Sequence, residues 1–220
     1  NYKDIANGAI DIKGEFDIES KKGNLALSSP KISGFEQELK NIKLNIQSLQ
    51  FLNKKLSFAY TLDTTFLKKA LSFDGNLSFK ETLHIVASSS DFKSKSRFEL
   101  NDKKIKLSAK SLDIKELLEF LELETLASGH IDLDAKGDFN KLIFSINSEA
   151  KFNELDAKIN ADGFFVTKTK ELNSKFTLFT KLGKEDVEIK GDANYKKEFK
   201  INANSSSFGA NSNFKLSSGT

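Results

Sequence analysis

The densest run of carboxylates in the chain, Asp132-Leu133-Asp134-Ala135-Lys136-Gly137-Asp138, has the look of a calcium loop. An EF-hand loop takes side-chain ligands at its first, third and fifth positions, a glycine at the sixth and a bidentate glutamate at the twelfth. Counting from Asp132, the first two ligands and Gly137 fit, but the fifth position is Lys136 and the twelfth is Ile143. No metal is expected. The two histidines, His84 and His130, each lack a second imidazole nearby, and zinc needs ligands at closer, patterned spacing. The chain has no cysteine, which removes disulfides and thiolate metal sites. Serines are abundant, yet there is no G-x-S-x-G elbow and no phosphate-cradling glycine loop. Neither paired carboxylates nor a nucleophile with its base can be assembled, so no catalytic residue, no cofactor and no enzymatic activity are expected.

The elements around these residues explain their types. Between Ser128 and Phe139, Ile131, Leu133, Ala135 and Phe139 share one phase, while His130, Asp132, Asp134, Lys136 and Asp138 share the other. A period of two makes a strand with one apolar and one wet face, and it puts both aspartates on the wet side. The alternation recurs at Ile10–Ile18, Ile42–Ile46, Leu56–Leu62, Phe98–Leu100, Ile105–Ala109, Leu142–Ile146, Leu155–Ala161, Phe176–Leu182, Val187–Ile189, Phe199–Ala203 and Phe214–Leu216. Turn signals fall at Asn7-Gly8, Lys22-Gly23-Asn24, Asp74-Gly75, Asp162-Gly163, Leu182-Gly183-Lys184 and Gly191-Asp192. Short alternating runs joined by tight turns predict a mainly β protein, an antiparallel meander of repeating strands.

Two segments predict short helices. In SLDIKELLEFLELETL, Ile114, Leu117, Leu118 and Leu121 recur at helical steps, and Asp113 with Glu116 has the form of a capping box. That helix is expected over about 114–124, closing one end of a sheet with its leucines. Its polar side carries Glu116, Glu119, Glu122 and Glu124 against Lys115, the wrong sign for an anionic membrane surface. A weaker pattern, LDTTFLKKALSFDG, predicts a second helix near 64–71. The landmarks suggest an internal repeat of Leu-Asp, helix, glycine and strands. They divide the chain into 1–61, with its preceding helix represented only by the opening NYKDIANG, then 62–111 and 112–220, alternatively one continuous β domain.

Composition narrows the partners. Hydrophobic residues make up 38% of the 220, below the roughly 45–50% of an ordinary globular domain. The formal net charge is +3, with 34 basic against 31 acidic residues, and Arg97 is the only arginine. A phosphate-reading surface favours arginine forks, so nucleic-acid binding is not expected. The absence of cysteine suits an oxidising compartment. The opening Asn1 and the lack of any bilayer-length apolar run point to a piece of a longer protein.

The leucine-rich helix followed by a small residue, glycine and HIDLDAKG resembles the AsmA-like superfamily, the group of AsmA, TamB and YhdP. The positions that fit are Leu117, Leu118, Leu121, Gly129, Ile131, Leu133 and Gly137, and the clear match spans about 112–159. A proline often precedes the glycine in that family; here the run is LELETLASG. The resemblance implies a periplasmic protein anchored in the inner membrane by a helix outside this chain. It also implies a taco-like β groove that carries phospholipid passively between inner and outer membranes.

The residues themselves point the same way. Phenylalanine, with 20 copies, is the compositional outlier, and a meander with one apolar face has little else in the sequence to cover that face. The sheet must therefore curl over itself, pair with another sheet or hold something, and the expectation adopted is a curled groove holding an acyl-chain lipid. The groove lining is assigned to Ile131, Leu133, Phe139, Leu142, Phe144, Ile146, Leu155 and Ile159, where the alternation is cleanest. The competing expectation is a structural or adhesive β-solenoid of the cell envelope, filled by its own side chains.

Overall fold

Alternation backed by β-branched and aromatic residues produces strands almost everywhere it occurs. The structure, a computed structural model, describes residues 7–34, 37–196, 198–207 and 212–218. It is mainly β, as expected, and every registered strand pair is antiparallel. The chain forms two units, Asn1–Asp91 with Ser96–Asp102, and Phe92–Lys95 with Lys103–Thr220.

The first unit holds β1 (Asn7–Gly8), β2 (Asp11–Asp17), β3 (Lys22–Gly34), β4 (Gln37–Leu52), β5 (Lys55–Phe66), β6 (Lys69–Phe79), β7 (Leu83–Ser89) and β8 (Lys95–Asn101). β1 and β2 both pair with β3, and the later strands follow one another in sequence order. The second unit holds β9 (Lys104–Asp113), α1 (Ile114–Phe120), β10 (Ala127–Asp138), β11 (Lys141–Phe152), β12 (Leu155–Val166), β13 (Glu171–Leu182), β14 (Glu185–Tyr195), β15 (Phe199–Ser205) and β16 (Ser212–Ser218). It is an unbroken meander from β9 to β16. The opening segment 1–6, assigned above to a preceding helix, lies outside the described residues.

The second helix does not form. Residues 64–71 are the end of β5, the turn Leu67–Lys68 and the start of β6, with Phe66 opposite Lys69. Leu67 and Lys68 have φ of 45° and 67°, the left-handed pair that suits a two-residue hairpin to the twist of its strands. Because the turn resets the period, Phe66, Leu67, Ala70 and Leu71 imitate helical spacing. Thr64, Thr65 and Phe66 fit a pleated surface better than a helix.

Most of the glycine turn signals also fall elsewhere. Gly183 is in a turn with φ of 66°, but Gly8, Gly23, Gly75, Gly163 and Gly191 lie within strands. Four of them face an aromatic ring across the ladder: Phe16 opposes Gly23, Tyr60 opposes Gly75, Phe144 opposes Gly163 and Phe176 opposes Gly191. A Cβ on Gly163 or Gly191 would stand 2.7 Å from Cζ of the facing phenylalanine. The ring occupies the space a side chain would take, which pins the register of each pair. Tyr60 goes further: its hydroxyl crosses Gly75 and donates to the Val86 carbonyl, 3.1 Å away on β7.

α1 is the helix expected from the capping box, but it ends early, at Phe120 rather than near residue 124. The Asp113 carboxylate accepts the Glu116 N–H at 3.0 Å, and that bond, with the Lys93 ammonium beside it, holds the Asp113 carboxyl below the usual carboxylate range. The last turn carries no basic residue, while Glu119, Glu122 and Glu124 oppose the negative end of the helix dipole. Ile114 and Leu118 pack on Ala127, Ala150 and Ile131, so the helix covers one corner of the apolar face. Leu121 stays 47% exposed, contrary to its expected burial. Phe92 meets Phe120 edge-on, with ring centroids 5.2 Å apart.

Candidate binding face

Directly opposed residues in an antiparallel ladder lie on the same face, so the register of the second unit assembles that face row by row. One row reads Gly137, Leu142, Phe165, Leu172, Tyr195, Phe199. The next reads Leu107, Ala135, Phe144, Gly163, Ser174, Ala193, Ile201, Leu216. A third reads Ala109, Leu133, Ile146, Ala161, Phe176, Gly191, Ala203, Phe214. A fourth joins Leu112, Ile131, Ser148, Ile159, Leu178 and Ile189. Beyond it, Ala150 opposes Gly129 and Ala157, and Leu155 opposes Phe152.

Seven of the eight residues assigned to the lining therefore share one surface: Ile131, Leu133, Leu142, Phe144, Ile146, Leu155 and Ile159. Phe139 is set apart. It sits in the bend after β10 and is 56% exposed, because the hairpin between Asp138 and Lys141 interrupts the phase it would have continued. Phe165, Leu172, Phe176, Leu178 and Ile189 belong to the face and were absent from the predicted lining. The signal for Phe165 was present, since Leu155, Ala157, Ile159, Ala161, Gly163 and Phe165 keep one phase; reading Asp162-Gly163 as a turn cut it short.

The opposite face is mostly polar, though it includes Ile143, Phe164 and Phe179. Its rows include Asp134, Ser145, Asp162, Lys175, Asp192, Asn202 and Lys215, and Asp132, Asn147, Asn160, Thr177, Lys190 and Asn204. Asp132 and Asp134 have structural work there. A bulge in β9 places Ser111 at φ 56°, and its N–H donates to Asp132 Oδ1 at 2.8 Å. Lys110 Nζ lies 2.7 Å from Asp134 and 3.8 Å from Asp132. The hydrogen bond to Asp134 raises the Lys110 pKa, with burial opposing it. Asn24 does the same for the bulge at Ser48, accepting its N–H at 3.1 Å. Among the described residues no group of three or more His, Cys, Asp or Glu side chains could hold a metal. His130 and His84 lie on different units, and His84 Nε2 stands 3.5 Å from Glu99.

Among the described residues of the second unit, α1 is the element packed on the apolar face. Among the described residues no large side chain is fully buried. The best-covered members of the second unit's face are small: Ala109, Ala150, Ala157, Val187 and Ala203. Phe152, Leu182, Tyr195, Phe214 and Leu216 on the same face are each at least 40% exposed. A broad depression of 1260 Å³ lies at the β11–β12 and β13–β14 turns, lined by Ala150, Phe152, Leu155, Phe179 and Gly183 among others. Leu155 is the one predicted lining residue it touches. The seven assigned residues on this face are half-buried and line a face and not an enclosed pocket. No protein-family model, curated protein or solved structure matches this chain.

Proposed function

We propose that this chain is a lipid-binding β segment of an AsmA-like envelope protein, whose apolar face carries the acyl chains of phospholipid passing between inner and outer membranes. The observation that carries this reading is the sheet of the second unit: four adjacent rows carry Leu, Ile and Phe on one face, and among the described residues of that unit α1 packs on one corner of it. Leaving such side chains bare to water forfeits roughly 1.5–3 kcal/mol each, and a continuous apolar patch of that size is an aggregation hazard unless something occupies it. An acyl chain recovers about 0.8 kcal/mol per buried methylene, on the order of 10 kcal/mol for a long chain. Hydrophobic contact is non-directional, so the guest can slide along the rows with small barriers. The mechanism is passive and uses no catalytic group. In this reading the sheet curls around its guest, the compartment is the periplasm, and the membrane anchor belongs to sequence outside this chain.

A β-solenoid scaffold fits less well, because solenoid coils fill their interior with their own side chains. Native mass spectrometry of the purified protein tests the proposal. Wild type is expected to retain phospholipid, and Leu133→Asp or Phe144→Arg to lose it while keeping the β circular-dichroism signal. Lipid-free wild type, or charged variants carrying as much lipid as wild type, would overturn it.

A further inference from the structure

The two strand ends of the second unit differ in charge. One end gathers the turns joining β10 to β11, β12 to β13 and β14 to β15. The Thr167 N–H donates to the Asn140 carbonyl at 2.9 Å, and Lys196 Nζ lies 2.7 Å from Glu171, which sets these turns side by side. This end carries Lys103, Lys104, Lys141, Lys168, Lys170 and Lys196 against Asp138, Glu171 and Glu198. The other end carries α1 and the segment after it, where Glu116, Glu119, Glu122 and Glu124 stand with Lys115 and with Lys93, whose ammonium lies 3.2 Å from Glu116, and two turns in which lysines and carboxylates roughly balance.

The lysine-rich end borders the row Leu142, Phe165, Leu172, Tyr195 and Phe199. Lys103, Lys168 and Lys170 are exposed and have no carboxylate partner among the described residues. Lys141 is also exposed, but its ammonium lies 3.9 Å from the centroid of the Phe164 ring, in the reverse-face register, so it is not counted with them. Resting on the lipid-binding reading above, we propose that these lysine-bearing turns hold the phosphate of an anionic glycerophospholipid whose chains run along the strands of the apolar face. Two features of the surface fit this guest. Turn cations stand at the end of a half-buried apolar row whose Tyr195 is exposed, which matches a charged phosphate joined to a hydrocarbon tail. Length fits as well: from Leu142 to Phe152 the strand spans about 34 Å at ~3.4 Å per residue, and one leaflet's chains extend about 15 Å, half the ~30 Å bilayer core. The tail therefore ends before the glutamate-rich end, and an anionic headgroup has only one favourable side to occupy. Lysine ammoniums are point charges on flexible stems, so a phosphate can pass from one turn to the next without a fixed fork to release it.

The test incubates the whole chain with vesicles of equal phosphatidylglycerol and phosphatidylcholine, re-isolates the protein and measures retained lipid by native mass spectrometry. Phosphatidylglycerol is expected to be enriched on the order of tenfold at low salt, the enrichment falling as salt is raised. Lys103→Gln/Lys168→Gln/Lys170→Gln should bring the ratio near unity with total lipid unchanged. Lys151→Gln/Lys184→Gln at the opposite end should leave it as in wild type. A wild-type ratio near unity with lipid still bound, or enrichment that survives the triple substitution, would overturn the headgroup assignment and leave the lipid-binding reading standing. Protein that retains neither lipid would remove both.

Discussion

Replacing Gly163 by alanine should destabilise the second unit by about 2 kcal/mol. Gly163 opposes Phe144 in the β11–β12 ladder, and a Cβ there would lie 2.7 Å from Phe144 Cζ and closer still to the Asn173 carbonyl oxygen. Overpacking of this kind costs roughly 1–3 kcal/mol, and swinging the ring aside exposes a phenylalanine worth about 1.5–3 kcal/mol when covered. The alanine returns about 0.5–1 kcal/mol by removing glycine's backbone freedom. Because the Asn173 carbonyl is crowded whether or not the ring is present, a double-mutant cycle isolates the ring. Phe144→Ala and Gly163→Ala combined should cost less than the sum of the two by about 1 kcal/mol or more. Urea denaturation followed by circular dichroism at 218 nm (~) reads this as the shift in midpoint, the chain having no tryptophan to report. Strict additivity, or a neutral Gly163→Ala, would refute the view that rings seated over glycines fix the register.

Other perturbations test the remaining parts. Asp113→Ala should cost about 1 kcal/mol by removing the cap of α1. The lowered Asp113 pKa means this contribution is present above the ordinary carboxylate range and is lost as pH falls through the folded-state value, which helical circular dichroism on acid titration would show. Tyr60→Phe should cost about 1 kcal/mol for the bond to Val86. Burial, then the Asp74 charge, raises the Tyr60 pKa above that of an ordinary phenol. Its contribution is therefore full below the unfolded phenol's pKa and is lost as pH rises through the folded-state value, which thermal melts in alkaline buffer would follow. Millimolar calcium should leave the melting temperature unchanged, since Ser111 and Lys110 already engage Asp132 and Asp134; a calcium-dependent rise would contradict that assignment.

The class of fold was legible because alternation is a property of local sequence. Ile131, Leu133, Phe144 and Ile159 could be put on one side of a ribbon without knowing which strands were neighbours. Turn positions were not legible, for a physical reason. Several hairpins here use left-handed backbone at ordinary residues, Asn53–Lys54 and Leu67–Lys68 among them, while Gly23, Gly75, Gly163 and Gly191 lie within strands opposite aromatic rings. The ring above Gly163 or Gly191 comes from another strand, so the pairing was invisible until the register was known. The aspartates were placed on the correct face, but their partner, the Ser111 bulge, depends on a mismatch between β9 and β10 that no single strand reveals.

The most direct test of the account is to place a photo-crosslinking phenylalanine analogue at single positions on the two faces of neighbouring strands and irradiate the protein in the presence of phospholipid vesicles. Probes at Leu133, Ile146 and Ile159 should yield covalent lipid adducts by mass spectrometry, and probes at Asn147 and Asn160 on the reverse face should not. Equal labelling of both faces, or none on the apolar one, would contradict a hydrocarbon guest on this sheet.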